Sequence, residues 1–201
     1  FNMGAAYQAM GNHDRGIDCY QSAITIDPNY ADAYNNMGNA FKDKGEFLEA
    51  IKSYKKAVII KPDYAESFCN MGVAFQENGD LKPALVSYRQ ALSLKPNFAE
   101  AHNNLGNALK DSGEFESAIA SYKRAIDIRP NYAEAYSNLG VSYQSRGDTA
   151  LAMRYYNCAL EKDSDYAEAY NNLANALRIK GDGNGAIANY KKCLKLKPEY
   201  S

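Results

Sequence analysis

Six asparagines, Asn2, Asn36, Asn70, Asn104, Asn138 and Asn172, recur every 34 residues along this 201-residue chain, and their type and spacing suggest a definite chemistry. A carboxamide carries two donors and an acceptor oxygen, so one asparagine can hold the N–H and the C=O of a peptide unit without reading the adjacent side chain. Six in register would hold an extended backbone with little sequence selectivity. Beside alternate rungs stand Asn39, Asn107 and Asn175, followed three residues later by Lys42, Lys110 and Arg178. In the intervening repeats these two columns read Ala5, Val73 and Val141, then Gln8, Gln76 and Gln144. A third column alternates in step, with Asn35, Asn103 and Asn171 set against Cys69 and Ser137. The polar face therefore has a 68-residue rhythm, as duplication of a two-repeat segment would leave, and it suits an extended ligand of periodic character.

Other chemistry is missing from the pattern. No Gly-rich phosphate loop, metal-ligand spacing or nucleophile with its base is present, so the sequence predicts no catalytic residue, no metal and no cofactor. His102 shares the aromatic column of Tyr34 and Tyr136 and reads as core, whereas His13 follows a turn and reads as surface. Cys19, Cys69, Cys158 and Cys193 fall at helical positions without paired spacing. They read as reduced, partly buried thiols, which points to a cytoplasmic or nuclear compartment. A net charge of -1 with 23% charged residues removes the usual electrostatic footprint for nucleic acid or an anionic membrane. No apolar run approaches the roughly 20 residues of a membrane span, and the N-terminus has no secretory signature.

The elements that must carry the asparagines are punctuated by Pro28, Pro62, Pro96, Pro130 and Pro198, with Ser164 in the missing place, and by Gly11, Gly45, Gly79, Gly113, Gly147 and Gly181. One helical pattern lies between each proline and the next glycine, and a second between that glycine and the next proline. The chain is thus predicted to be all-α, built of antiparallel helix pairs. Capping boxes are expected at the first helices, pairing Asp63 with Glu66, Asn97 with Glu100, Asn131 with Glu134, Asp165 with Glu168 and, in shorter form, Asn29 with Asp32. Ala33, Tyr34, Met37, Gly38, Ala40 and Phe41 form one side of a first helix. Asp32, Asn35, Asn36, Asn39, Lys42 and Asp43 form the other. Second helices carry Ala50, Tyr54 and Ala57, with Tyr20, Tyr88, Tyr122, Tyr156 and Tyr190 aligned to Tyr54.

Gly38, Phe41, Gly45, Ala50, Tyr54, Ala57 and Pro62 on a 34-residue period resemble the tetratricopeptide repeat over the whole chain. The resemblance implies a single right-handed superhelical solenoid over 1–201, with a partial repeat at 1–30 and full repeats at 31–64, 65–98, 99–132, 133–166 and 167–200. It also implies that the first helices line a concave surface. The inner face is similar to that of the O-linked N-acetylglucosamine transferases, whose asparagine ladder holds substrate protein. Carried over, the rungs are Asn2, Asn36, Asn70, Asn104, Asn138 and Asn172, and Asp32, Glu66, Glu100, Glu134 and Glu168 lie beside them as caps or as selectors of ligand side chains. The carboxylate clamp of chaperone adaptors does not fit, because Asn35, Glu100 and Asn104 stand where its cations would be.

The expected function is a non-catalytic scaffold that binds a protein or extended peptide. The alternatives are the substrate-recognition part of a glycosyltransferase whose catalytic domain lies elsewhere, or an architectural module acting through its convex face or ends. Phe1 begins partway into a repeat and Tyr200-Ser201 closes one, so a longer parent chain is expected. Leu194 and its neighbours should lack a covering repeat, which favours end-to-end self-association.

Overall fold

A computed structural model describes residues 2–199, and among them it contains twelve α-helices and no strand. The first helices of the repeats are α1 (Asn2–Ala9), α3 (Ala31–Asp43), α5 (Ala65–Glu77), α7 (Ala99–Asp111), α9 (Ala133–Ser145) and α11 (Ala167–Ile179). The second helices are α2 (His13–Ile26), α4 (Phe47–Ile60), α6 (Leu81–Leu94), α8 (Phe115–Ile128), α10 (Thr149–Lys162) and α12 (Gly183–Leu196). The chain forms two compact units, Phe1–Ala101 and His102–Ser201, with the boundary inside α7. In the first unit α3 packs on α4 and α5 on α6, while α2 and α4 each pack on the first helix that follows. The second unit repeats the scheme, with α9 on α10, α11 on α12 and α10 against α11.

Each hairpin turns at a glycine with positive φ, from 73° at Gly11 to 86° at Gly181. That left-handed conformation burdens a residue with a Cβ, so glycine ends the first helix and lets the second start within three residues.

The core repeats one arrangement. Tyr54 is fully buried among Ala50, Ile51, Met71 and Ala74, and burial of such a ring contributes about 2 kcal/mol. It fits because Gly38 has no side chain: a Cβ there would lie 2.6 Å from Tyr54 Cε1. In the sixth repeat Ala174 takes the glycine's place, and Tyr190, which among the described residues has no following first helix over it, is half-buried.

The capping boxes expected at α3, α5, α9 and α11 do not form. The N-cap positions of α3, α5, α9 and α11 are Tyr30, Tyr64, Tyr132 and Tyr166, none with a side-chain cap bond. Asn29, Asp63 and Asn131 lie one residue too early, and their backbone carbonyls accept from Ala31, Ala65 and Ala133 instead. Side-chain caps occur on second helices, where Asn12, Asp148 and Asp182 accept from the amides of Arg15, Leu151 and Gly185.

Candidate functional site

The asparagine column lies on the first helices at half-buried positions, Asn36, Asn70, Asn104, Asn138 and Asn172, with Asn2 exposed. Neighbouring first helices within a unit approach each other, α3 with α5 and α9 with α11, so their rungs form a short row in each unit. The rungs also brace the scaffold. Asn70 Nδ2 donates to Asn35 Oδ1 at 3.2 Å, and Asn138 Nδ2 donates to Asn103 Oδ1 at 3.1 Å. Asn172 Nδ2 donates to Ser137 Oγ at 3.3 Å. Asn35 and Asn103 therefore turn inward instead of lying on the exposed polar face, as expected of them, while Asn171 is half-buried. Asn35 is 6% exposed and Asn103 is 0% exposed, each taking up the amide of the next repeat. Asn35 passes its own donor to Asn36 Oδ1, and Asn103 passes its donor to Glu134 Oε1 at 2.9 Å. A buried carboxamide needs such partners, since each orphaned polar atom would cost about 1–3 kcal/mol.

The 68-residue alternation has a physical origin that the sequence reading missed. Tyr54, Tyr122 and Tyr190 hydroxyls donate to Asn39, Asn107 and Asn175 Oδ1 at 2.7, 2.7 and 2.6 Å. Tyr20, Tyr88 and Tyr156 hydroxyls donate instead to Gln8, Gln76 and Gln144 Oε1, at 3.2, 3.1 and 2.7 Å. Each repeat must give its buried phenol an acceptor, and two solutions exist. Either an asparagine stands three residues after the rung, or a valine or alanine stands there with a glutamine three residues further on. Covariation of these columns with the constant tyrosine was the signal. Burial holds the Tyr54, Tyr122 and Tyr156 phenols above their ordinary range, so they remain donors.

The acids beside the rungs are engaged within the protein. Tyr64 hydrogen-bonds to Asp32, Glu66 pairs with Lys95 Nζ at 2.6 Å, and Glu168 pairs with Lys197 Nζ at 2.5 Å. Lys95 and Lys197 hold the Glu66 and Glu168 carboxyls below the usual range. The cation column is neutralised in two places: Lys42 pairs with Asp43 at 3.0 Å and Lys110 with Asp111 at 3.3 Å. Arg178 is followed by Ile179 and has no such neighbour. Asn172 and Asn175 meet Val141, Gln144, Ser145 and Tyr156 around a concavity of about 250 Å³ between α9 and α11.

His102 and His13 are both half-buried, and His13 Nδ1 is enclosed without a hydrogen-bond partner. All four cysteines are free, with Cys69 and Cys193 buried. Among the described residues no three His, Cys, Asp or Glu side chains gather as a metal would require, and no helix is long and apolar enough to cross a membrane.

Stacked helix hairpins with a polar row on their first helices define a helical-repeat protein. Models of the TPR repeat match residues 4–45, 38–79, 77–113 and 106–147, and models of the tetratricopeptide repeat match 133–166 and 167–200. The chain belongs to the tetratricopeptide repeat family, whose members are generally non-catalytic scaffolds. Among solved structures it is similar to MamA, with 29% identity over 81% of this chain and 95% of that one and a TM-score of 0.70. It shares the fold of YrrB, described as a TPR protein with an unusual peptide-binding site, at 21% identity over 90% and 93% of the chains, TM-score 0.67. PilW, a type IV pilus biogenesis factor, superposes over 100% of this chain and 92% of that one, with 20% identity and a TM-score of 0.88. No curated protein sequence matches the chain.

Proposed function

We propose that this protein is a non-catalytic scaffold that binds an extended polypeptide along the first-helix face of each unit. Asn36 and Asn70 serve in one unit, Asn138 and Asn172 in the other, with Asn2 and Asn104 continuing the register and Asn39, Asn107, Asn175, Lys42, Lys110 and Arg178 beside them. The observation that carries this reading is how little the rungs spend on the scaffold. Asn70, Asn138 and Asn172 each donate once, and Asn36 only accepts. Each keeps enough capacity to meet a peptide unit. The peptide-binding site described for YrrB supports the class of ligand.

Bracing and binding are separable by experiment. Asn172→Ala removes a rung whose loss leaves no buried carboxamide without its partner, since Asn172 donates only to Ser137 Oγ. Anisotropy of a neutral peptide of alanine, serine and threonine, blocked at both ends, should show binding weakened about tenfold or more. The melting temperature should stay within about 4 °C of the parent's. Unchanged affinity would refute the ladder.

Reading the chain instead as an assembly module draws on apolar side chains exposed on α12, among them Leu194 at 47% and Ile187 at 54%. It predicts a mass, by light scattering, that rises with concentration and reverts on Leu194→Glu/Ile187→Glu. The transferase alternative has only the inner-face resemblance behind it.

A further inference from the structure

The N-terminal unit contains a small carboxylate-binding constellation whose ligand is its own side chain. Asp43 Oδ2 accepts from Gln8 Nε2 at 2.9 Å, and Asp43 Oδ1 lies 3.0 Å from Lys42 Nζ. Gln8 can act this way because Tyr20 donates to its Oε1, which turns the amide nitrogen outward. Three parts are therefore required: a tyrosine to orient a glutamine, a cation on the next first helix, and a carboxylate immediately after that cation.

The last pair of repeats reproduces the first two parts and lacks the third. Tyr156 donates to Gln144 Oε1 at 2.7 Å, so the glutamine presents its amide nitrogen as Gln8 does. Arg178 occupies the register of Lys42, and the place of Asp43 is taken by Ile179, which is 60% exposed. Gln144 lines the concavity between α9 and α11 together with Asn172 and Asn175. Asn175 Oδ1 accepts from Tyr190, so this carboxamide also keeps its donors. Local charge agrees: residues 167–199 carry six lysines and arginines against three acids in a chain of net charge -1.

We propose that Gln144 and Arg178 form a subsite for the carboxylate of an aspartate or glutamate side chain on the bound polypeptide, which supplies from outside the group that Asp43 supplies internally in the first unit. This assignment rests on the peptide-binding reading above and adds to it a preferred residue at one position. The guanidinium pairs with the carboxylate, the Gln144 amide donates to its second oxygen, and Asn172 holds the adjoining backbone. Charge-assisted bonds of this kind exceed neutral ones, and one amide bond plus a solvent-exposed cation is worth about a tenfold preference for the acid over its amide.

The test compares two blocked peptides of alanine, serine and threonine that differ only in a central Glu or Gln, so that no terminal carboxylate competes. Anisotropy should show the Glu peptide binding about tenfold more tightly at low salt, with the preference reduced at high salt. Ile179→Asp restores the internal carboxylate and should abolish the preference while leaving the Gln peptide's affinity unchanged. Gln144→Glu keeps an acceptor for Tyr156, so it should fold normally, and it should invert the preference. Equal binding of the two peptides by the parent protein, or a preference that survives Ile179→Asp, overturns the subsite and leaves the ladder standing. Failure of either peptide to bind overturns the ladder and the subsite with it.

Discussion

Replacing Asn39 by valine isolates the interaction that sets the alternating face. Tyr54 is fully buried and Gly38 locks its ring in place, so the phenol cannot swing to solvent when its acceptor goes. Burial and the Asp43 carboxylate hold it well above the ordinary tyrosine range, so it keeps its proton. Without Asn39 Oδ1, now 2.7 Å away, that proton has no partner, at a cost of about 2 kcal/mol. For a chain of this length the melting temperature should fall by about 4–8 °C. Valine itself fits, because Val73 and Val141 occupy the position in other repeats. Adding Lys42→Gln supplies the acceptor that Gln76 gives Tyr88 at 3.1 Å, and most of the loss should return. Lys42→Gln alone removes an exposed ion pair worth at most about 1 kcal/mol. Tyr54→Phe combined with Asn39→Val should cost less than the sum of the two single changes. Urea unfolding followed by circular dichroism measures the five variants against the parent. The reasoning fails if Asn39→Val/Lys42→Gln is no more stable than Asn39→Val.

Three further outcomes follow from the packing and pairing. Gly72→Ala would bring a Cβ to 2.6 Å from the buried Tyr88 ring and should lower unfolding free energy by about 1–3 kcal/mol, whereas Ala174→Gly should cost no more than about 1 kcal/mol. Ser67→Ala removes a fully buried hydroxyl that has no hydrogen-bond partner, and denaturation should show a gain of about 1 kcal/mol. Lys95 depresses the Glu66 carboxyl below its ordinary 4.5. The pair's stabilisation is therefore present above that pH and lost as pH falls through the depressed value. In Lys95→Met, carboxyl-carbon NMR should show Glu66 titrating closer to 4.5 and acid unfolding should begin at higher pH; an unmoved Glu66 titration would contradict the pairing.

The repeat period and its punctuation are visible in the sequence because they answer to single-residue demands: left-handed φ at Gly45, clearance for Tyr54 at Gly38. Helix starts were misplaced by one residue because Asp63 has the side chain of a cap but sits outside the helix, where only its carbonyl is used. On the polar face, helical periodicity puts Asn35 and Asn36 side by side and cannot say which looks inward. That choice depends on contacts between repeats, since Asn35 receives Asn70 and Asn103 receives Asn138. The exchange of Asn39 for Gln76 was visible as covariation, but its cause, a buried phenol on the second helix, lies 12 to 15 residues away in sequence.

The most direct test of the scaffold reading is titration of the ¹⁵N-labelled protein with the neutral blocked peptide, following the side-chain amide resonances of the asparagines. The ladder predicts that Asn36, Asn70, Asn138 and Asn172 shift together and saturably, while Asn35 and Asn103, buried behind them, keep their bonds to the scaffold. Shifts confined to α12 and the apolar side chains around Leu194, with the rungs unmoved, would contradict it.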